Sequence, residues 1–379
     1  MKPRSLVWLV AVASLWTFSI RSAQADPARY TIVEIPTLGG TENFAYAINN
    51  RGDVVGLSRE AGDSSVGAFL FGSAVVTSLD RLNGSVPQDI NKRGQIATGV
   101  YRNGVYVPAL YDSRTGRIKT LGSFGGVFGG IFNGEAFSVN DRGQVVGYSY
   151  LDSLNRHAFL YSDGALTDLG SFGGYSAALA INSSGDIEGF SSDTVNGYPH
   201  AFVFREGVMI EINPFGGPNN ESIARGINDR RQVVGEGLVA TGDAFNGFIY
   251  FDDAITNIGT LEGGRNSSAF AINKHGQVVG IADQPYEDLC WDLAAGRYVP
   301  CIKYAQRAFL YEDGVMTDLN SLIAPNSGWD LSWAFDINDR GQITGYGLKD
   351  GKFRAYLMTP NRQAGGRFDS DVERPLLKH

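Results

Sequence analysis

The chain has 379 residues, with 40 acidic against 32 basic side chains, two cysteines and four histidines, and a formal charge of −8. That balance excludes a nucleic-acid binder, because a polyanionic backbone demands a basic footprint. It is compatible with a metal ion, a cationic partner or a neutral glycan. Forty-nine glycines, with few long apolar stretches of helical period, indicate an all-β chain with many turns.

Residues 1–25 read as a signal peptide. Met1-Lys2-Pro3-Arg4 is a basic leader, residues 6–20 are mostly apolar but short for a membrane span, and Ala23-Gln24-Ala25 is a small-x-small cleavage site. Cleavage after Ala25 removes Lys2, Arg4 and Arg21 and leaves a more acidic mature chain from Asp26. No other stretch is long and apolar enough to span a membrane, so the expected product is secreted, outside the cell or in the periplasm.

The next segment, Tyr30 to Gly40, resembles the last strand and exit loop of units that recur downstream, such as Ala165-Leu166-Thr167-Asp168-Leu169-Gly170. From there one phrase, Ile-Asn-x-x-Gly-x-Val-x-Gly, organises the chain. It occurs seven times, at Asn49, Asn91, Asn140, Asn182, Asn228, Asn273 and Asn338, with spacings of 42, 49, 42, 46, 45 and 65 residues. A period near 45 with strand-like content is the signature of a propeller. In the unit around Asn273, Ala269 to Ile272 alternates as a strand, Asn273-Lys274-His275-Gly276 is a turn, and Gln277 to Gly280 leaves as a second strand. A third strand such as His157 to Tyr161 and a fourth such as Ala165 to Leu169 complete a four-stranded blade.

After the last third strand no fourth follows, so the strand at Tyr30 is expected to complete the last blade and close the ring, removing two unpaired edges. The reading is all-β: a seven-bladed β-propeller of four-stranded blades over residues 26–360, with a polar tail over 361–379. A linear or eight-bladed array is the rival. The residue two before each asparagine is small or short (Ala47, Asp89, Ser138, Ala180, Gly226, Ala271, Asp336), as an inner strand crowding a central channel requires. In the fifth unit Arg231 replaces the turn glycine, which predicts a left-handed backbone at a bulky residue.

In such a meander the first and third turns share one rim, and here both are tight and uniform. The longer, varied connections form the other rim, where function on a rigid scaffold usually sits. The candidate ligand-binding residues there are Tyr198 and Asp193, Tyr286 and Trp291, and Trp329 and Trp333, as a glycan or peptide platform. The alternative is that the loop aromatics, including Phe124, Phe128, Phe132, Tyr148, Tyr150 and Tyr175, staple blades together. Cys290 and Cys301 form an even pair in an exported chain and read as a disulfide, with two free thiols as the alternative. Their hairpin is an insertion that explains the 65-residue spacing, and it is the best local candidate for partner contact.

Catalytic and metal signals are weak. Asp336 to Gly341 imitates the start of a calcium loop, but Arg340 stands at the fifth position and no glutamate follows at the twelfth. Arg51-Gly52-Asp53 shares its glycine with the repeat turn. His157 and His200 open third strands, and no Gly-x-Ser-x-Gly occurs, so a general base rests on geometry alone. No catalytic residue, metal or cofactor is assigned.

The combination of Ala-Ile-Asn-x-x-Gly-Gln-Val-Val-Gly, His-Ala-Phe-Leu-Tyr and Asp-Gly-x-x-x-Asp-Leu-Gly-x-x-Gly-Gly, complete over residues 137–174, resembles the bacterial extracellular HAF repeat family. The resemblance covers residues 30–359. It implies an exported bacterial protein without an assigned activity. The expected function is a monomeric, non-enzymatic module binding a glycan, surface polymer or cell-surface protein through its loop rim. The alternatives are a propeller lyase or hydrolase, and a structural component of an extracellular matrix.

Overall fold

The alternating segments of each unit form four short antiparallel strands, because a strand puts successive side chains on opposite faces and each blade buries both. The computed structural model describes residues 28–361, apart from 83, 194–196, 218–219 and 293–296. The proposed signal peptide and the tail beyond Asn361 lie outside the described residues. Seven four-stranded sheets are present. Blades 1 to 6 span residues 39–78, 89–120, 134–168, 176–212, 222–259 and 267–318. Blade 7 is built from Trp329–Ile337, Ile343–Lys349 and Lys352–Pro360, with Tyr30–Glu34 as its outermost strand. Among the described residues there is no α-helix, and no helix long and apolar enough to cross a membrane.

The closing strand pairs antiparallel along its length, Tyr30 opposite Pro360 and Glu34 opposite Tyr356. Asn361 clamps the junction: its N–H donates to the Arg29 carbonyl at 2.8 Å and its Nδ2 to the Ala28 carbonyl at 2.7 Å. The seams between blades are apolar. The large residue of each small-large pair in the third strand is fully buried at Phe69, Phe159, Phe202, Phe248, Phe309 and Tyr356. Each such burial contributes about 1.5–3 kcal/mol.

The repeated asparagine does more than form a turn. Each Oδ1 accepts backbone N–H groups two and four residues on, as in Asn140 from Arg142 and Gln144. One Nδ2 hydrogen goes to the side chain four residues on. The other goes to the backbone carbonyl of the next blade's asparagine at 2.9–3.2 Å, and Asn338 returns to Asn49. The result is an unbroken belt of seven buried amides around the channel.

The inner strands also differ from plain alternation. In blades 1, 3, 4, 5, 6 and 7 a bulge precedes the asparagine. The small residue lies in the channel wall and close against the next blade. At Gly226 a Cβ would approach the Phe270 carbonyl oxygen to 2.8 Å. The bulged residue before it, Tyr46, Phe137, Leu179, Arg225, Phe270 or Phe335, lines the channel beside it.

Blade 6 carries the insertion. Its second and third strands, Val278–Asp292 and Arg297–Glu312, remain paired from Val278–Tyr311 to Asp292–Arg297, forming a two-stranded arm beyond the blade. About nine residues of extension per strand correspond to roughly 30 Å. The Cys290–Cys301 disulfide crosses this arm, with Cα atoms 5.7 Å apart.

Candidate functional site

The two rims differ chemically. On the asparagine-turn rim, first and third turns bond to each other, as where Arg205 Nη2 donates to the Arg231 carbonyl at 2.8 Å. The residues just after the belt pair among themselves. Lys92 Nζ meets Asp141 at 2.9 Å, Ser183 Oγ donates to Asp229 at 2.7 Å, and Asn50 Nδ2 donates to Asp339 at 2.8 Å.

The loop-rim side of the channel carries two aromatic clusters, and burial tells them apart. Across blades 2 to 4, Tyr106 stacks on Phe132 at 4.7 Å and Phe128 on Tyr150 at 5.4 Å. The Arg156 guanidinium lies over Tyr148 at 4.5 Å and over Tyr175 at 5.4 Å. Tyr106, Tyr148 and Tyr150 are no more than 8% exposed, so these rings staple blades. Burial, with a smaller contribution from the Glu135 carboxylate, pushes the Tyr148 hydroxyl up to about 12. Burial also raises the Glu135 carboxyl above its usual range, against the bond it accepts from Gln88 Nε2 at 2.8 Å.

Across blades 6, 7 and 1 the rings are half-exposed. Phe270 contacts Trp333 at 5.8 Å and Phe335 at 5.6 Å; Phe335 contacts Tyr46 at 5.6 Å. Trp333 stacks on Tyr346 at 5.8 Å, and Tyr346 meets Phe44 at 4.9 Å and Phe353 at 5.8 Å. Seven rings thus run from the channel wall outward, ending at Phe353, which is 37% exposed. The Arg225 guanidinium lies 5.5 Å from the Phe270 ring and pairs with Glu236 through Nε at 3.1 Å.

The six candidates from sequence fall into three places. Trp333 belongs to the half-exposed cluster. Trp329, also in blade 7, packs edge-on against buried Tyr356 at 5.9 Å and lies under Lys349 at 5.2 Å, a packing role. Tyr286, 46% exposed, and Trp291 lie on the blade 6 arm. Asp193 and Tyr198 flank the second connection of blade 4, three blades from blade 7. The structure therefore does not gather the six into one site. Sequence reasoning missed Phe44, Tyr46, Phe270, Phe335, Tyr346 and Phe353.

It also missed a serine beside His157. Asp168 lies 3.0 Å from His157 Nδ1, and Ser171 Oγ lies 3.3 Å from Nε2. The His–acid pair recurs one blade on, where His200 Nδ1 is 3.0 Å from Glu211, with Pro214 in the place of Ser171. The Gly173 N–H donates to Ser171 Oγ at 3.2 Å, so this backbone donor points at the hydroxyl itself. Among the described residues no three acidic, histidine or cysteine side chains group closely enough to hold a metal ion.

These features define a closed, seven-bladed propeller with a uniform rim and an aromatic rim. The chain belongs to the family described as a protein of unknown function (DUF3466), whose profile matches residues 129–331. No curated protein matches it. Among solved structures it is similar to the propeller domain of the Trilobed protease from Pyrococcus furiosus, with TM-score 0.53 and 8% identity over 84% of this chain and 95% of that one. It is similar to an acylaminoacyl peptidase at TM-score 0.50 and 10% identity, over 83% of this chain and 51% of that one. TolB from Acinetobacter baumannii matches at TM-score 0.43 and 14% identity, over 87% of this chain and 66% of that one. The chain spans about two thirds of TolB and half of the peptidase. At these identities the likeness extends to the fold alone. The Pyrococcus propeller is described as having an open velcro topology; here the Tyr30–Glu34 strand closes the ring.

Proposed function

We propose that this chain is an exported, HAF-type repeat protein that binds a neutral glycan on the aromatic surface of blades 6, 7 and 1. One observation carries the reading: seven contiguous rings, running outward from the channel wall, are all left partly exposed, whereas in the cluster of blades 2 to 4 Tyr106, Tyr148 and Tyr150 are buried and Phe128 lies open. Sugar rings present apolar C–H faces that stack on aromatic rings, and exposed apolar patches mark binding sites. The acidic chain disfavours a polyanionic polymer, so neutral glycans fit best. The disulfide fits an oxidising compartment such as the periplasm or the medium. Affinity electrophoresis and calorimetry with cellohexaose, chitohexaose and xylohexaose test this. Saturable binding without product release supports the reading; release of shorter oligomers overturns it.

A second reading has its own observation, the Ser171–His157–Asp168 alignment, which resembles a hydrolase triad in geometry. The recurrence of the His–acid pair beside Pro214 favours a structural role, tying third strand to fourth. A fluorophosphonate probe separates the two. Labelling that disappears in Ser171→Ala would favour hydrolysis.

A further inference from the structure

A cleft of about 350 Å3 opens on the loop rim between blades 5 and 6, at the foot of the disulfide-bonded arm. Three carboxylates line it from different elements. Glu221 precedes the inner strand of blade 5, Glu236 lies on its second strand, and Asp283 lies where the arm leaves blade 6. Glu236 is already answered by Arg225. Asp283 is held by Asn266, whose Nδ2 donates at 2.7 Å and whose Oδ1 accepts the Phe245 N–H at 3.0 Å. Glu221 has no ion-pair partner among the described residues. Two carboxylates therefore face the cleft without a cation.

A second observation is independent of this charge. Ser268 lines the same cleft and is 6% exposed, yet its Oγ has no hydrogen-bond partner. A buried hydroxyl without a partner is uncommon and calls for one. Phe245 and Ile281 supply apolar wall between the polar groups. The carboxylates are not grouped tightly enough for a metal ion. Separate anionic points around an apolar wall suit a longer cation, with charge at its end and hydrocarbon along its length.

We infer that this cleft binds an aliphatic primary ammonium, a charged –NH3+ on an apolar stem. Its three N–H donors match Glu221, Asp283 and the Ser268 Oγ as acceptors. The chemistry is that of a free diamine or of a lysine side chain, and the two sources are separable. The site is distinct from the aromatic surface and does not rest on the glycan reading.

The test is calorimetric titration of the whole secreted chain with 1,5-diaminopentane and, separately, with Nα-acetyl-lysine methylamide. 1,5-Pentanediol serves as the uncharged control. The expected result is saturable binding of at least one amine, no binding of the diol, and weakening in high salt. Preference for the diamine points to a free polyamine, and preference for the lysine derivative to a peptide. Glu221→Gln should weaken binding at least tenfold, because among the described residues its carboxylate has no side-chain bond to lose, and Ser268→Ala should weaken it several-fold. Trp333→Ala should leave it unchanged. No binding of either amine at millimolar concentration, or equal binding by Glu221→Gln, overturns the proposal. Cellohexaose binding by the same sample reports separately on the aromatic surface.

Discussion

At the scale of single residues, the asparagine belt is the device that ties blade to blade. Each amide uses both hydrogens and accepts two N–H groups in a buried position, so no smaller side chain replaces it. Asn140→Ala removes four hydrogen bonds and leaves the Arg142 and Gln144 N–H groups without their acceptor, while the Asn182 carbonyl keeps the Gly185 N–H. The expected cost is about 2–4 kcal/mol by chemical denaturation. The turn role of this residue was legible in Asn-x-x-Gly. The belt was not, because its acceptor lies in the next unit, 42 to 65 residues further on, and local turn chemistry says nothing of it.

Asp336 and Arg231 give two further residue-scale tests. Asp336 accepts the Ile48 N–H of blade 1 at 2.7 Å, and burial in the channel wall pushes its carboxyl up to about 7. A carboxyl with a folded pKa above its unfolded value favours the protonated fold. Its contribution is complete below about pH 4 and is lost as pH rises through 7. The melting temperature should fall from pH 5 to pH 8, and Asp336→Asn should flatten that slope. Arg231 sits at φ 66°, as its place at the turn glycine predicts. Releasing that strain yields about 1–2 kcal/mol, set against the ion pair of the half-exposed Arg231 with buried Asp186, which keeps its bond from Asn182 Nδ2. Arg231→Gly should therefore raise the melting temperature by about 2 °C; a fall would show that the ion pair dominates.

At the scale of elements, the bulge decides what the channel displays. The small residues two before each asparagine were legible, but not their direction. One extra residue in the inner strand adds Tyr46, Phe270 and Phe335 to the channel wall beside the small Ala47, Ala271 and Asp336. Strict alternation hides such a change, because a bulge is set by the pairing partner rather than by the strand. The arm was legible as an insertion from its cysteines and spacing, though not as two continuous strands. Its residues Leu289, Tyr298, Ile302 and Tyr304 are all more than 40% exposed, so the arm draws little on the blade cores. In the Cys290→Ser, Cys301→Ser variant, hydrogen exchange over residues 284–290 and 299–306 should speed at least tenfold, with the propeller melting temperature unchanged. A matching fall in melting temperature would mean that the arm supports the fold.

At the scale of the whole molecule, a rigid ring closed by an amide belt and by the Tyr30–Glu34 strand presents two unequal faces. The count of seven and the swapped strand were readable because both are properties of a repeat and its ends. The aromatic surface was only partly readable, since it assembles rings from three blades, and of these only Trp333 stood out in sequence. The most direct test is a titration of cellohexaose, chitohexaose and xylohexaose against wild type, Trp333→Ala and Lys92→Ala, the last on the opposite rim. The account predicts saturable binding to at least one, weakened at least tenfold by Trp333→Ala and unaffected by Lys92→Ala. Loss in Lys92→Ala with full binding in Trp333→Ala would contradict it.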